Sequence, residues 1–402
     1  MSTVAVLSMH TSPLAQPGTG DSGGMNVYVR ELAGSLARAG VPVRVYVRRW
    51  SAELPERVLV EPGLEVVHVD AGPHDAPKEQ LPAFVDEFAD RVEADIAGSD
   101  VDVLHANYWL SAVAGHRLKH RLSLPLVATF HTLARVKAEA GDAEPEARAR
   151  AESETIGCCD AICASNPVEA DQLLGHYGAD PARIEQVPPG VDHAFFSPGD
   201  RGGARAALGL DDRPTILFVG RVQPLKGVPV AVRALSMVER SDARLVIVGG
   251  PSGADGAAEA RRVRELVDGL GLADRVRFVE PQPHHALSSW YRSADVVVVP
   301  SRSESFGLVA LEAAACGVPV VAAAVGGLRT LVRDGHTGFL VEGREPAAVA
   351  ARIDTLFARP ELAAGMGRAA AADAARYSWA GTAGRLRRLY SDLSSNALVQ
   401  CR

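Results

Sequence analysis

The stretch Thr215-Ile216-Leu217-Phe218-Val219-Gly220-Arg221-Val222-Gln223-Pro224-Leu225-Lys226-Gly227-Val228 decides the fold. A short apolar run ends at a glycine, and a loop carrying two cations follows. Val228, Ala231, Val232 and Leu235 then take the 0, 3, 4, 7 spacing of one helix face. An apolar run without polar alternation suits a parallel strand covered on both faces. The loop leaves the C-terminal end of that strand, which is where open α/β sheets bind ligands.

The same alternation runs along the whole chain. Strand candidates in the first half are Val4–Leu7, Val43–Val47, Val66–Val69, Val103–His105, Leu126–Phe130 and Ala161–Ala164. The second half offers Thr215–Val219, Arg244–Val248, Val276–Val279, Val296–Val299, Val320–Ala323 and Phe339–Val341. Helical spacing recurs at Val29, Leu32, Ala33 and Leu36, closed by Gly40. The pattern predicts α/β domains with parallel sheets. Pro188-Pro189-Gly190 and Ser197-Pro198-Gly199 form the densest run of chain breakers between two strand series. The expected organisation is therefore two Rossmann-like domains facing across a cleft, residues 1–198 and 199–378, with a C-terminal helix in 379–402 packing back on the first.

Composition narrows the class. The chain has 402 residues, 47% of them hydrophobic, enough for large cores. Its net charge of −7 excludes an overall basic footprint for nucleic acid. No apolar stretch approaches the ~20 residues of a membrane span, and the N-terminus has no basic lead. Cys158, Cys159, Cys163, Cys316 and Cys401 show no framework or metal-ligand spacing. The expectation is a cytoplasmic protein without structural disulfides, in which Cys158 and Cys159 are packing residues.

Gly18-Thr19-Gly20-Asp21-Ser22-Gly23 matches G-x-G-x-x-G literally, the fingerprint of a dinucleotide-binding dehydrogenase. That motif belongs directly after the first strand, which here ends near Ser8, and the second strand ends in Arg48-Arg49 rather than an acid. Gly23 and Gly24 instead precede a helix, whose N-terminal N–H groups can meet an anion; a plain glycine turn remains the alternative. Arg221 and Lys226 pair a planar fork with a point charge, a combination suited to a diphosphate, although a solvated basic turn would look the same. Glu304-Ser305-Phe306-Gly307-Leu308-Val309-Ala310-Leu311-Glu312 places one carboxylate in a turn and another on a helix. Either glutamate alone would be a surface or capping residue; together with the Arg/Lys loop they suit the hydroxyls of a ribose and a hexose. Asp100-Val101-Asp102 precedes a strand, and reads as a loop cap rather than a metal motif.

The Gly-Arg…Lys loop followed by Glu-x7-Glu resembles the retaining glycosyltransferases of family 4, which have the GT-B fold, and the resemblance covers nearly the whole chain. The segment from His10 through Gln16-Pro17 and Gly24-Met25-Asn26 is similar to that of members joining N-acetylglucosamine from UDP-GlcNAc to 1D-myo-inositol 3-phosphate. Sucrose and sucrose-phosphate synthases share a looser version. The resemblance implies donor contacts from Gln16, Pro17, Gly24, Arg221, Lys226, Gln282, Glu304 and Glu312. It implies acceptor contacts from His10, Asp21, Ser22, Gly23, Gly24, Met25, Asn26, Lys78, Tyr108, Thr132 and Arg148. Catalysis would fall to Arg221, Lys226, Glu304 and a positioning His131. No cofactor or metal is required; Mg2+ is compatible but not implied. The implied partners are a nucleotide sugar, a phosphorylated cyclitol and a second copy of the chain, with no nucleic acid or membrane.

The chain departs from the family pattern at Asn107 (usually His), Ala112 (Gly), Ala138 (Asn) and Arg302-Ser303 (Tyr-Asn). These positions flank the acceptor loops and the donor sugar. A paralogue of secondary metabolism glycosylating another cyclitol or related acceptor is therefore an alternative, as are a sucrose-phosphate-synthase-like transferase and a nucleotide-sugar-binding module without turnover.

Overall fold

Eight strands build the first sheet: β1 (Thr3–Leu7), β2 (Val43–Arg48), β3 (Arg57–Glu61), β4 (Leu64–Val69), β5 (Val101–Asn107), β6 (Leu126–Thr129), β7 (Ala161–Ala164) and β8 (Ile184–Gln186). Their spatial order is β3-β4-β2-β1-β5-β6-β7-β8, parallel throughout except β3 against β4. The second sheet holds β9 (Thr215–Val219), β10 (Arg244–Val248), β11 (Val276–Val279), β12 (Val296–Val299), β13 (Val320–Ala323) and β14 (Gly338–Val341). It is wholly parallel, in the order β11-β10-β9-β12-β13-β14. The computed structural model describes residues 3–401 apart from 19, 21, 143 and 254.

Both sheets reverse their strand order at the first strand. β1 lies between β2 and β5, and β9 lies between β10 and β12. Loops leaving these strands flank a topological switch point, the place where parallel sheets bind ligands. Valine-rich central strands are buried from end to end, because helices cover both faces. The two strands not expected from the sequence, β3 and β8, are edges. β3 leaves Leu59 74% exposed, and neither strand has a fully buried residue.

The chain forms two compact units. One comprises Met1–Ala15, Met25–Gly190 and Trp379–Arg402; the other comprises Gln16–Gly24 and Val191–Ser378. This division differs from the expected one in two places. It falls after Gly190 rather than near 198, because Val191 bridges to Ser378 and Phe196 is buried in the core of the second sheet. The glycine segment also groups with the second sheet, where Gln16 Nε2 donates to the Pro281 carbonyl at 2.9 Å. In the first unit, the helix Trp379–Ser394 lays Trp379, Ala383, Leu386 and Tyr390 against Val4, Val103 and Val127. Tyr390 Oη meets His105 Nδ1 at 2.6 Å.

One expectation about cysteine is overturned. Cys158 and Cys401 are joined as a disulfide with Cα atoms 4.6 Å apart. They lie 243 residues apart in sequence, so no local spacing announces the pairing. Cys159, Cys163 and Cys316 are free and buried, and burial pushes each thiol up to about 12. They are packing residues, since nucleophilic cysteine needs a lowered pKa. Among the described residues, no helix is long and apolar enough to cross a membrane.

Candidate functional site

In the second unit the loop after β9 and the loop after β12 form one surface. Arg302 N donates to the Leu225 carbonyl at 2.8 Å. Gly227 has φ +73°, and a Cβ there would stand 2.3 Å from the Pro300 carbonyl oxygen, so only glycine lets the loops meet. The side chains join as well. Lys226 Nζ lies 2.6 Å from Glu304 Oε2, and Ser301 Oγ donates to the same oxygen at 3.1 Å. A third loop, after β13, closes on them: Gly327 N donates to the Glu304 carbonyl at 2.9 Å.

Arg221 is reached by the glycine segment. A Cβ on Gly23 would lie 3.1 Å from Arg221 Nε, so the bare backbone of Gly23 sits against the guanidinium. Gly18 N donates to the Ser22 carbonyl at 2.9 Å, and Ser252 Oγ donates to that of Gly20. Gln282 Nε2 donates to the Glu280 carbonyl at 2.9 Å, beside the carbonyl that accepts from Gln16. Pro17 is half-buried within this segment, Gly24 is exposed at its end, and Asp21 lies outside the described residues. The dehydrogenase fingerprint thus belongs to a segment grouped with the second sheet rather than to a turn at the end of β1.

Glu312 sits on the helix Leu308–Ala315 and is buried. His284 Nε2 lies 2.6 Å from its Oε1, and Tyr291 Oη donates to its Oε2 at 2.7 Å. Burial, then the Glu312 charge, raises the Tyr291 hydroxyl well above its ordinary pKa and keeps it a donor. His284 and Tyr291 were not expected from the sequence, whose only local signal is the His284-His285 pair beside Gln282. An ionised carboxylate offers about four acceptor sites, so Glu312 can still receive two hydroxyls.

In the first unit His10, Lys78 and Arg148 gather around the Tyr108 ring and Thr132 joins them through Arg148, whereas Ser22, Gly23 and Gly24, expected to contact the acceptor, group with the second sheet. Tyr108 follows β5, His10 follows β1, and Thr132 follows β6. The His10 ring lies 4.3 Å from the Tyr108 ring, centroid to centroid. Lys78 Nζ stands 5.2 Å from the Tyr108 centroid, and the Arg148 guanidinium carbon 5.0 Å. Arg148 Nη2 donates to Thr132 Oγ1 at 3.0 Å and to the Thr132 carbonyl at 2.9 Å. Asn26, buried at the start of the helix Gly24–Arg38, donates to Thr11 Oγ1 and the Ser12 carbonyl, both at 2.6 Å, and fixes the loop after β1. Met25, half-buried, packs on the cores that flank this sheet.

Arg148 is not the solvated charge its sequence position allows. It is only 3% exposed, held by Glu152 Oε1 at 2.8 Å and Glu144 Oε2 at 3.0 Å. Lys78, half-buried, makes no ion pair among the described residues. Tyr108 and His131 have φ of +75° and +61°, two of the three non-glycine residues with positive φ among those described. Such strain persists only where surrounding structure imposes it, and it concentrates at ligand sites.

One unit thus offers cations and paired carboxylates at a switch point, and the other offers two cations over an aromatic ring. That construction, on two Rossmann-like parallel sheets, is the GT-B architecture of nucleotide-sugar glycosyltransferases, and the chain is an enzyme of that class. Residues 22–195 match glycosyltransferase family 4, and residues 200–373 match glycosyl transferases group 1. The chain belongs to family 4, in the group of the D-inositol 3-phosphate glycosyltransferases. The one from Geodermatophilus obscurus is 49% identical, over 96% of this chain and 89% of its own length. The one from Streptosporangium roseum is 46% identical, over 98% and 94%. Among solved structures, sucrose-phosphate synthase from Thermosynechococcus elongatus superposes with a TM-score of 0.93 at 32% identity, over 98% of this chain and all of that one.

Proposed function

We propose that the enzyme transfers N-acetylglucosamine from UDP-GlcNAc to 1D-myo-inositol 3-phosphate with retention at the anomeric carbon, the reaction that opens mycothiol biosynthesis. The observation that carries the reading is the pair of cations over Tyr108, Lys78 at 5.2 Å and Arg148 at 5.0 Å. A phosphate monoester has about two negative charges and three strong acceptor oxygens, and Lys78 is the cation not already matched by a carboxylate. Relatives named for this acceptor support the assignment.

On the donor side, Arg221 and Lys226 hold the diphosphate, Glu312 the ribose, and Glu304 the hexose hydroxyls. Glu304 receives Lys226 and Ser301 on Oε2, an arrangement in which Oε1 addresses the sugar. Bond breaking places charge on the leaving phosphate, and preorganised cations there lower the barrier most. The leaving phosphate oxygen takes the proton of the attacking hydroxyl. His131 is half-buried and desolvation pushes its pKa down to about 3, so it orients as a neutral imidazole. In this reading no cofactor is required, activity persists in excess chelator, and the enzyme works as a cytoplasmic homodimer.

The test compares kcat/KM for inositol 3-phosphate and free inositol, in wild type and Lys78→Ala. A charged hydrogen bond contributes about 1.5–3 kcal/mol, or roughly one to two decades. The wild type should prefer the phosphorylated acceptor by at least that much, and Lys78→Ala should remove one to two decades of the preference. Equal use of both acceptors by the wild type would replace this reading with the paralogue acting on another cyclitol.

A further inference from the structure

We propose that His116, His120, Cys158 and Cys401 bind one zinc ion when the two cysteines are reduced. The inference is independent of the acceptor and donor assignments, since none of the four residues takes part in them. His116 and His120 lie four residues apart on one face of the helix Trp109–Leu122. Cys158 is the last residue of the helix Glu146–Cys158, and Cys401 lies in the segment that follows the final helix. One ligand atom from each residue falls within 4.8 Å of the other three. His120 Nε2 is 3.1 Å and His116 Nε2 3.6 Å from the Cys401 sulfur.

Two thiolates and two imidazoles are a zinc donor set. Tetrahedral zinc, with sulfur at about 2.3 Å and nitrogen at about 2.0–2.1 Å, holds neighbouring ligand atoms roughly 3.3–3.8 Å apart. Small side-chain movements bring this cluster to those separations. A neutral disulfide is a weak acceptor and gives two imidazole nitrogens little reason to converge on one sulfur. Around a metal ion each of the four atoms makes a bond. The disulfide is then the oxidised, metal-free state of the same site.

The position gives the ion something to hold. The helices carrying His116, His120 and Cys158 begin at the acceptor cluster, where Tyr108 precedes one and Arg148 lies in the first turn of the other. A metal would clamp their far ends together and tether the tail. Val399 N already donates to Asp160 Oδ1 at 2.7 Å, and Lys119 Nζ bridges the Cys158 carbonyl at 2.7 Å and Asp160 at 2.8 Å. The segment therefore arrives at the site on fixed contacts.

The experiment uses the full chain. A phosphine reductant and water convert the disulfide to two thiols, the phosphine becoming its oxide. The reduced protein is then titrated anaerobically with Zn2+ against a chromophoric chelator, and with Co2+ for its thiolate charge-transfer band. We expect about one zinc per chain, a tetrahedral cobalt spectrum, and no uptake by the oxidised protein. Cys401→Ser and the double variant His116→Ala/His120→Ala should each weaken zinc binding on the order of a hundredfold or more. Circular dichroism and transferase activity confirm that the variants are folded. A reduced wild type that takes up no zinc, a bond that yields no titratable thiols in the native protein, or folded variants that bind like wild type would each overturn the proposal.

Discussion

His131 Nε2 donates to Asn107 Oδ1 at 2.9 Å, which ties the loop after β6 to the last residue of β5. Asparagine Oδ1 only accepts, so the proton is on the histidine. Burial pushes the imidazole down to about 3, and the ring is neutral throughout the working range. Asn107 is one of the positions at which the chain departs from its family pattern, and here it serves as the anchor of His131. Replacing it with alanine should cost about 1 kcal/mol of stability and lower kcat by one to two decades through misorientation. An NMR titration of His131 in the wild type should show no inflection between pH 5 and 8. An inflection near 6.5 would refute the neutral-donor role.

Acid stability follows from the same burial. His105 bridges Tyr390 Oη at 2.6 Å and Thr129 Oγ1 at 2.8 Å, and it too is pushed down to about 3. Between about pH 6.5 and 3 the unfolded chain binds these protons and the folded chain does not, so stability falls as pH falls. Each histidine contributes a slope of up to ~1.4 kcal/mol per pH unit. Glu169, whose carboxyl is raised by burial, opposes part of this trend at the acid end. Urea midpoints of the wild type at pH 7.5, 6 and 5 should therefore decline, with a shallower decline for His105→Gln. A midpoint independent of pH over this range would contradict the assignment.

Lys226 and Glu304 act as a couple, so their variants should not be additive. Arg221→Ala and Lys226→Ala are each expected to lower kcat by about 10²–10³, the usual effect of removing a transition-state donor. Glu304→Gln keeps the shape of the loop but loses the 2.6 Å ion pair with Lys226. The double variant Lys226→Ala/Glu304→Gln should be less impaired than the product of the single effects. Additive losses at saturating donor would mean that the two side chains serve separate steps.

What could be read in the sequence and what could not divide along a physical line. Arg221, Lys226 and Glu304 were legible because each follows a continuous apolar strand, and strand-end loops are where parallel sheets put chemistry. The clustering of Lys78, Arg148 and Thr132 at Tyr108 came from family resemblance, since no spacing relates those positions. His284, Tyr291 and the Cys158–Cys401 pair leave no spacing signal in the sequence because each contact joins elements separated along the chain. Strands β3 and β8 carry no buried apolar run to be read, because an exposed edge does not need one. The division after Gly190 is not legible in the sequence because Val191 and Phe196 declare their core only through tertiary contact.

Tyr291 is a positioning residue for Glu312, and that role can be separated from a merely structural one. Its hydroxyl donates to Glu312 Oε2 at 2.7 Å in a fully buried setting, while His284 holds the other oxygen. Tyr291→Phe keeps the ring in the core and removes a single hydrogen bond to a charged group, contributing about 1.5–3 kcal/mol. The lost bond loosens the carboxylate that meets the ribose, far from the bond being broken. KM for the donor and Kd for UDP should rise roughly 10–100-fold while kcat at saturating donor changes little. Glu312→Gln should produce the same pattern more strongly. A fall in kcat with unchanged KM would place Glu312 at the reacting sugar instead of the ribose. Unchanged UDP affinity in both variants, measured by isothermal titration, would remove Glu312 from the nucleotide site altogether.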